Sequence, residues 1–196
     1  MTTGERVRAF FALPLPEDLE QAALGAQDLL RRRSSHTRLS LRFPAPDHLH
    51  LTLKFLGWVD AGDLAALGDE LAETAAELDP FEVETGPLDA FPSARRGRVI
   101  VAHLDDPARR IAALAEACEA MGESVGVPRE PRPFKSHVTL ARLSVPGDVR
   151  ALLEKVPFPK LEARFDRVRL YRSTLLPTGS QYSQIAEANL GKSTSF

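Results

Sequence analysis

Apolar and polar positions along the chain fall into two rhythms. Alternation, or a short apolar run closed by turn residues, marks strands at "RVRAFFALPLP" (6–16), "HLHLTLKFL" (48–56), "FEVETGPL" (81–88) and "GRVIVAHL" (97–104). The same pattern returns at "HVTLARL" (137–143), "ARFDRVRLYRS" (163–173) and "YSQIAEA" (182–188). Helical spacing marks the segments between them. Leu19, Leu24 and Leu30 lie within a helix predicted over 16–33, and Leu64, Leu67, Leu71, Ala75 and Leu78 line one face of a helix stopped by Pro80. A third helix is predicted from near Pro107, a favoured first-turn residue, to Gly122, and a short one over 147–156. "SSHTRLSLRFPAPD" reads as loop with some extended character, and "LLPTGS" reads as a hairpin turn.

Each half of the chain therefore mixes strands and helices in a similar order. The fold class this predicts is α+β: two pseudo-symmetric lobes of antiparallel sheet with flanking helices and a cleft between them, forming a single domain over 1–196.

Two of the strands share a phrase. His50-Leu51-Thr52-Leu53 and His137-Val138-Thr139-Leu140 take two of only five histidines. Period two puts Leu49, Leu51, Leu53 and Phe55 on a core face and His48, His50, Thr52 and Lys54 on the opposite one. The second strand likewise separates Val138 and Leu140 from His137 and Thr139. Each strand thus delivers an imidazole and a hydroxyl together. Imidazole titrates near neutrality, so one ring can accept a proton while its counterpart donates one. In-line displacement at phosphorus needs both, on opposite flanks, and the hydroxyls of Thr52 and Thr139 can hold the non-bridging phosphate oxygens. The chemistry requires no metal and no cofactor.

Composition narrows the setting. With 43% hydrophobic residues, 27% charged residues and a net charge of −2, the chain is an ordinary globular one without an overall basic character. Arginines cluster locally at 31–33, 94–98 and 128–135. Cys118 is the single cysteine and falls among Ile111, Leu114 and Met121, as a small core residue would. With no signal-peptide pattern and no apolar run long enough to span a bilayer, the expectation is a cytoplasmic monomer that does not engage membranes.

Beyond the phrase itself, "RAFFALPLP", "HLHLTLKFLG", "FPSARRGRVIVA", "RPFKSHVTLAR" and "LYRSTLLPTGSQY" resemble, in the same order, the blocks of the 2H phosphoesterase superfamily. Within it the chain resembles the RNA 2′,3′-cyclic phosphodiesterases, historically called 2′-5′ RNA ligases. It departs from their pattern at Ser136, where proline is common, and in "RVIVA", where a tryptophan often stands. The resemblance implies that His50 is the proton donor to the leaving 3′ oxygen and His137 the proton acceptor that activates water. The product would be a 2′-phosphomonoester, and reversal would join RNA ends. It also implies a phosphate contact for Arg142, although strict alternation puts that residue on the Leu140 face unless the strand bends. The expected partners are RNA with 2′,3′-cyclic phosphate ends or small nucleotides.

Other readings stay open. A related enzyme of the superfamily could act on another cyclic nucleotide or a 2′-5′ linked oligonucleotide. A non-catalytic RNA-binding module could stack bases on Phe91, Phe134 or Tyr182, and His48, His50, His103 and His137 could in principle gather a zinc ion.

Overall fold

The structure, a computed structural model, describes residues 5–177 and 179–191. Among these residues, nine strands form two antiparallel sheets. The first contains β1 (Arg6–Pro14), β3 (His50–Asp60), β8 (Arg167–Leu176) and β9 (Gly179–Asn189), in the order β3-β1-β8-β9. The second contains β2 (Leu41–Arg42), β4 (Phe81–Phe91), β5 (Gly97–Asp105), β6 (His137–Gly147) and β7 (Glu162–Phe165), in the order β2-β6-β5-β4-β7. The two histidine strands, β3 and β6, approach one another where the sheets meet.

The lobes are not the two halves of the chain. β1 and β8 pair across most of the sequence, and the segment 163–173, a single strand by its pattern, breaks at Asp166. Its first part joins β4 in the second sheet and its second part joins β1 in the first. The hairpin expected at "LLPTGS" links β8 to β9, with Thr178 outside the described residues.

Helices α1 (Glu17–Ser34), α2 (Leu64–Ala76), α3 (Arg110–Ser124) and α4 (Arg150–Leu153) cover the apolar backs of the sheets. α1 carries acids in its first turn and three arginines in its last, which complements the helix dipole. Leu67, Leu71 and Ala75 form the buried stripe of α2, as their spacing requires. α3 begins at Arg110, three residues past Pro107, because the Asp106 carboxylate accepts hydrogen bonds from the N–H groups of Arg110 (2.7 Å) and Ala112 (3.1 Å). The short helix expected over 147–156 is one turn, with further turn-type hydrogen bonds to Val156.

Two of the connections cross between lobes. α1 leaves β1 of the first sheet and packs on β6 of the second, whereas α3 leaves β5 of the second and packs on β3 of the first. One buried cluster therefore runs through both lobes, taking in Leu19 and Leu30 from α1 and Ile111, Leu114 and the fully buried Cys118 from α3. Burial in that cluster pushes the Cys118 thiol far up, so it behaves as a small apolar residue.

Candidate active site

Both histidine strands depart from strict alternation at the same point. Opposite β1, Thr52 pairs with Ala12 and Lys54 with Phe11, so Leu53 is an extra residue. Opposite β5, Thr139 pairs with Val101 and Ala141 with Ile100, so Leu140 is extra. A bulge of this kind turns every later side chain to the other face. After the first bulge, Lys54 points inward (5% exposed) and Phe55 outward (59% exposed), the reverse of the sequence expectation for both. A second bulge at Leu56 precedes Gly57, whose φ of +67° favours glycine. The strand itself starts at His50 rather than His48, because 46–48 form a single 3₁₀ turn.

In β6 the bulge keeps Leu140 and Ala141 in the core and brings Arg142 onto the face of His137 and Thr139. The bend that sequence alternation alone does not supply is present. Neighbouring helices hold both bends. Gln27 of α1, 3% exposed, donates from Nε2 to the carbonyl of Leu140 (3.1 Å) and to that of Pro44 (3.1 Å). Lys54 donates to the Glu119 carboxylate of α3 and to the carbonyl of Pro128 (2.8 Å). Neither Gln27 nor the Lys54–Glu119 pair is visible from the motif. The only sequence signal is a lone polar residue among the apolar positions of each helix.

His50 lies over Phe10, with ring centroids 4.9 Å apart, and its Nε2 is 3.1 Å from Oγ1 of Thr52. Tyr171 and Tyr182 close around the same Phe10 ring at 5.2 and 4.9 Å, so the floor of this side is aromatic. Burial lowers the His50 pKa to about 4, against a hydrogen bond to the backbone of His48 and with smaller contributions from the charges of His48, Arg142 and His137. His137 meets the edge of Phe91 at 5.0 Å, and its Nδ1–H donates to the carbonyl of Lys135 (2.7 Å). Burial lowers its pKa too, opposed by that hydrogen bond and assisted by His103 and Arg142. With Nδ1 carrying the proton, Nε2 of the neutral His137 ring has a free lone pair, as a general base requires.

The charge of Arg142 thus reaches both imidazoles, and His50 also feels His137. His50, His137 and Arg142 therefore lie within electrostatic reach of one another where β3 and β6 meet, with Thr52 beside His50 and Thr139 on the face of His137. Of the other aromatics considered from sequence, Phe91 and Tyr182 are half-buried against the histidines, while Phe134 is exposed on the segment before β6. His103 stands opposite His137 in the sheet, 3.5 Å from the carboxylate of Asp89, and His48 packs on Tyr182. Among the described residues, no group of three or more histidine, cysteine, aspartate or glutamate side chains is gathered as a metal site would need. No helix among them is long and apolar enough to cross a membrane.

A family model described as the 2′-5′ RNA ligase superfamily matches residues 16–175. The chain belongs to that superfamily. Among curated members, the RNA 2′,3′-cyclic phosphodiesterase of Thermus thermophilus is 33% identical over 195 residues, covering 94% of this chain and 90% of that protein. The RNA 2′,3′-cyclic phosphodiesterase of Methanothermobacter thermautotrophicus is 29% identical over 184 residues, covering 92% of this chain and 97% of its own. Among solved structures of the superfamily's fold, Escherichia coli LigT complexed with 3′-AMP superposes with a TM-score of 0.71 at 25% identity, covering 95% of this chain and 99% of LigT. A crystal structure of a Thermus thermophilus protein gives a TM-score of 0.78 at 29% identity, covering 94% and 99%. The two-lobed α+β architecture is therefore that of the superfamily.

Proposed function

We propose that the protein hydrolyses RNA 2′,3′-cyclic phosphate ends to 2′-phosphomonoesters by two-histidine acid–base catalysis. The observation that carries this reading is the approach of two His-x-Thr strands, β3 and β6, with one arginine whose charge acts on both imidazoles. His137, neutral and with Nε2 free, takes a proton from water as the water oxygen attacks phosphorus. The P–O3′ bond breaks, and the departing 3′ oxygen takes a proton from Nε2 of His50. Thr52, Thr139 and Arg142 hold the non-bridging oxygens, where negative charge must be carried. Exchange with solvent then returns each ring to its starting state.

A depressed His50 pKa fits an acid that charges only on binding. Desolvation keeps the ring neutral in the open cleft, and a phosphate anion beside it favours the imidazolium. With a 5′-hydroxyl in place of water, the same groups in the same roles join a 2′,3′-cyclic end to it. His137 takes the 5′-hydroxyl proton, P–O3′ breaks with a proton from His50, and the roles exchange only when that 2′-5′ linkage is cleaved again. The reading keeps the protein in the cytoplasm, as a monomer, working without a metal.

The test is cleavage of a short RNA ending in a 2′,3′-cyclic phosphate, in excess EDTA, by wild type, His50→Ala and His137→Ala. Expected is a 2′-phosphate product from the wild type and a loss of roughly 10²–10⁴-fold in kcat for each variant. An inactive wild type, full activity in either variant, or activity abolished by EDTA would overturn the mechanism.

A further inference from the structure

β2 is two residues long, yet it sets Leu41 opposite Leu143 and Arg42 opposite Arg142. Directly opposed residues of an antiparallel pair share a face, with Cβ atoms ~5 Å apart. Leu143 is buried and Leu41 packs against the core, so the two arginines stand together on the outer face, the one that carries His137 and Thr139. Like charges directly opposed across a ladder repel. Neither guanidinium has an ion pair or hydrogen-bond acceptor among the described residues, although most other arginines near acids are paired. A pair of unneutralised arginines at the rim of a phosphate-handling cleft is a site waiting for anionic oxygens.

The two arginines are not equivalent. Arg142 bears on both imidazoles, whereas Arg42 is absent from the charges acting on either. Arg42 also sits one strand further out, on the edge of the sheet. Its guanidinium is therefore in reach of a charge next to, but separate from, the group between the histidines.

We propose that Arg42 binds a second phosphate, the 5′-phosphate of the terminal nucleotide, while Arg142 serves the cyclic phosphate. The inference rests on the phosphodiesterase reading above and adds a substrate preference to it. The protein selects ends that continue 5′ into a phosphodiester over free nucleoside 2′,3′-cyclic phosphates. In RNA, the 5′-phosphate of the last nucleotide is the linkage to the preceding one, so Arg42 is the residue that distinguishes an RNA end from a mononucleotide.

The experiment compares kcat/KM for adenosine 2′,3′-cyclic phosphate with and without a 5′-phosphate, using wild type, Arg42→Gln and Arg42→Lys. Expected is a wild-type preference of about 10-fold or more for the 5′-phosphorylated substrate, as one charge-assisted contact supplies. The ratio should collapse toward one in Arg42→Gln and survive largely in Arg42→Lys. On oligonucleotides, Arg42→Gln should reduce the slope of log affinity against log salt by about 0.7, the share of one single-strand phosphate contact. A wild-type ratio of one, or an equal loss on both substrates in Arg42→Gln, would overturn the second-phosphate site and leave the phosphodiesterase reading standing. Turnover of neither substrate, and none of a short RNA ending in a 2′,3′-cyclic phosphate, by wild type would overturn the phosphodiesterase reading, and the second site with it.

Discussion

β3 and β6 bend at the same residue after the same phrase, yet they turn different groups outward. Counting five places from each histidine reaches Phe55 in one strand and Arg142 in the other. One lobe thus offers the cleft an exposed ring and the other a free guanidinium. The inward groups differ as well, since the bulge buries Lys54 in β3 and Ala141 in β6. The pseudo-symmetric frame keeps the geometry of the bend while its two sides carry different side chains. On the proposed reading the aromatic side, with Tyr171 and Tyr182 around the buried Phe10 and His50, would take a base and ribose, and the arginine side phosphate. Among the described residues, only the second lobe has an extra edge strand beside its histidine strand, and that strand carries Arg42.

The largest expected effect tests how β3 holds its bend. Lys54→Ala strands the Glu119 carboxylate in a largely buried position and should cost about 3 kcal/mol in urea unfolding. The double replacement Lys54→Met with Glu119→Leu should recover most of that loss; failure to recover would mean the pair contributes more than mutual neutralisation.

A second experiment separates the two imidazoles. The folded-state pKa of His50, about 4, lies below its ordinary value of 6.5, so the unfolded chain takes up the proton first. Stability is then fully present above pH 6.5 and falls as pH drops toward 4, by on the order of 2 kcal/mol after allowance for screening. His50→Asn should flatten that part of the stability profile. An NMR titration should place His50 below His137 in the free protein, and added inorganic phosphate should raise His50.

Smaller effects belong to the second lobe's anchor and the first lobe's ring. Gln27→Leu leaves the Leu140 carbonyl without its partner and should cost ~1–2 kcal/mol in stability. It should also lower activity beyond what the stability loss accounts for, because the bulge aims Arg142. Unchanged kinetics would show that the bend holds without the amide. Phe55→Ala should raise KM for RNA ends by about 10-fold with little change in kcat, the pattern of a stacking contact. A kcat effect instead would put Phe55 among the groups that position the phosphate.

Much of the frame was legible from the residues. Alternation gave the His-x-Thr strands, and helical spacing located α1, α2 and α3 to within a few positions. What period two could not give was the face of any residue beyond Thr52 or Thr139. A bulge is a property of register against a neighbour, and here each bend is satisfied by a helix distant in sequence, Gln27 reaching Leu140 across 113 residues. Lys54 and Phe55 were misassigned for that reason, and Arg142 could be brought to the cleft only by the bend. β2 was too short to carry a periodic signal, and the break at Asp166 has no glycine or proline to mark it.

The crossing of α1 and α3 bears on how such a molecule comes to exist at all. Each helix is tethered to one sheet and embedded in the other, so no single cut of the chain yields a lobe with its own covering. The strand β1, near the start of the chain, must await β8, near its end. A protein wired in this way has a high contact order and is expected to fold slowly, and only after nearly all of it has been synthesised. The interleaving also couples the lobes, because moving one sheet away from the other would strip α1 from β6 and α3 from β3.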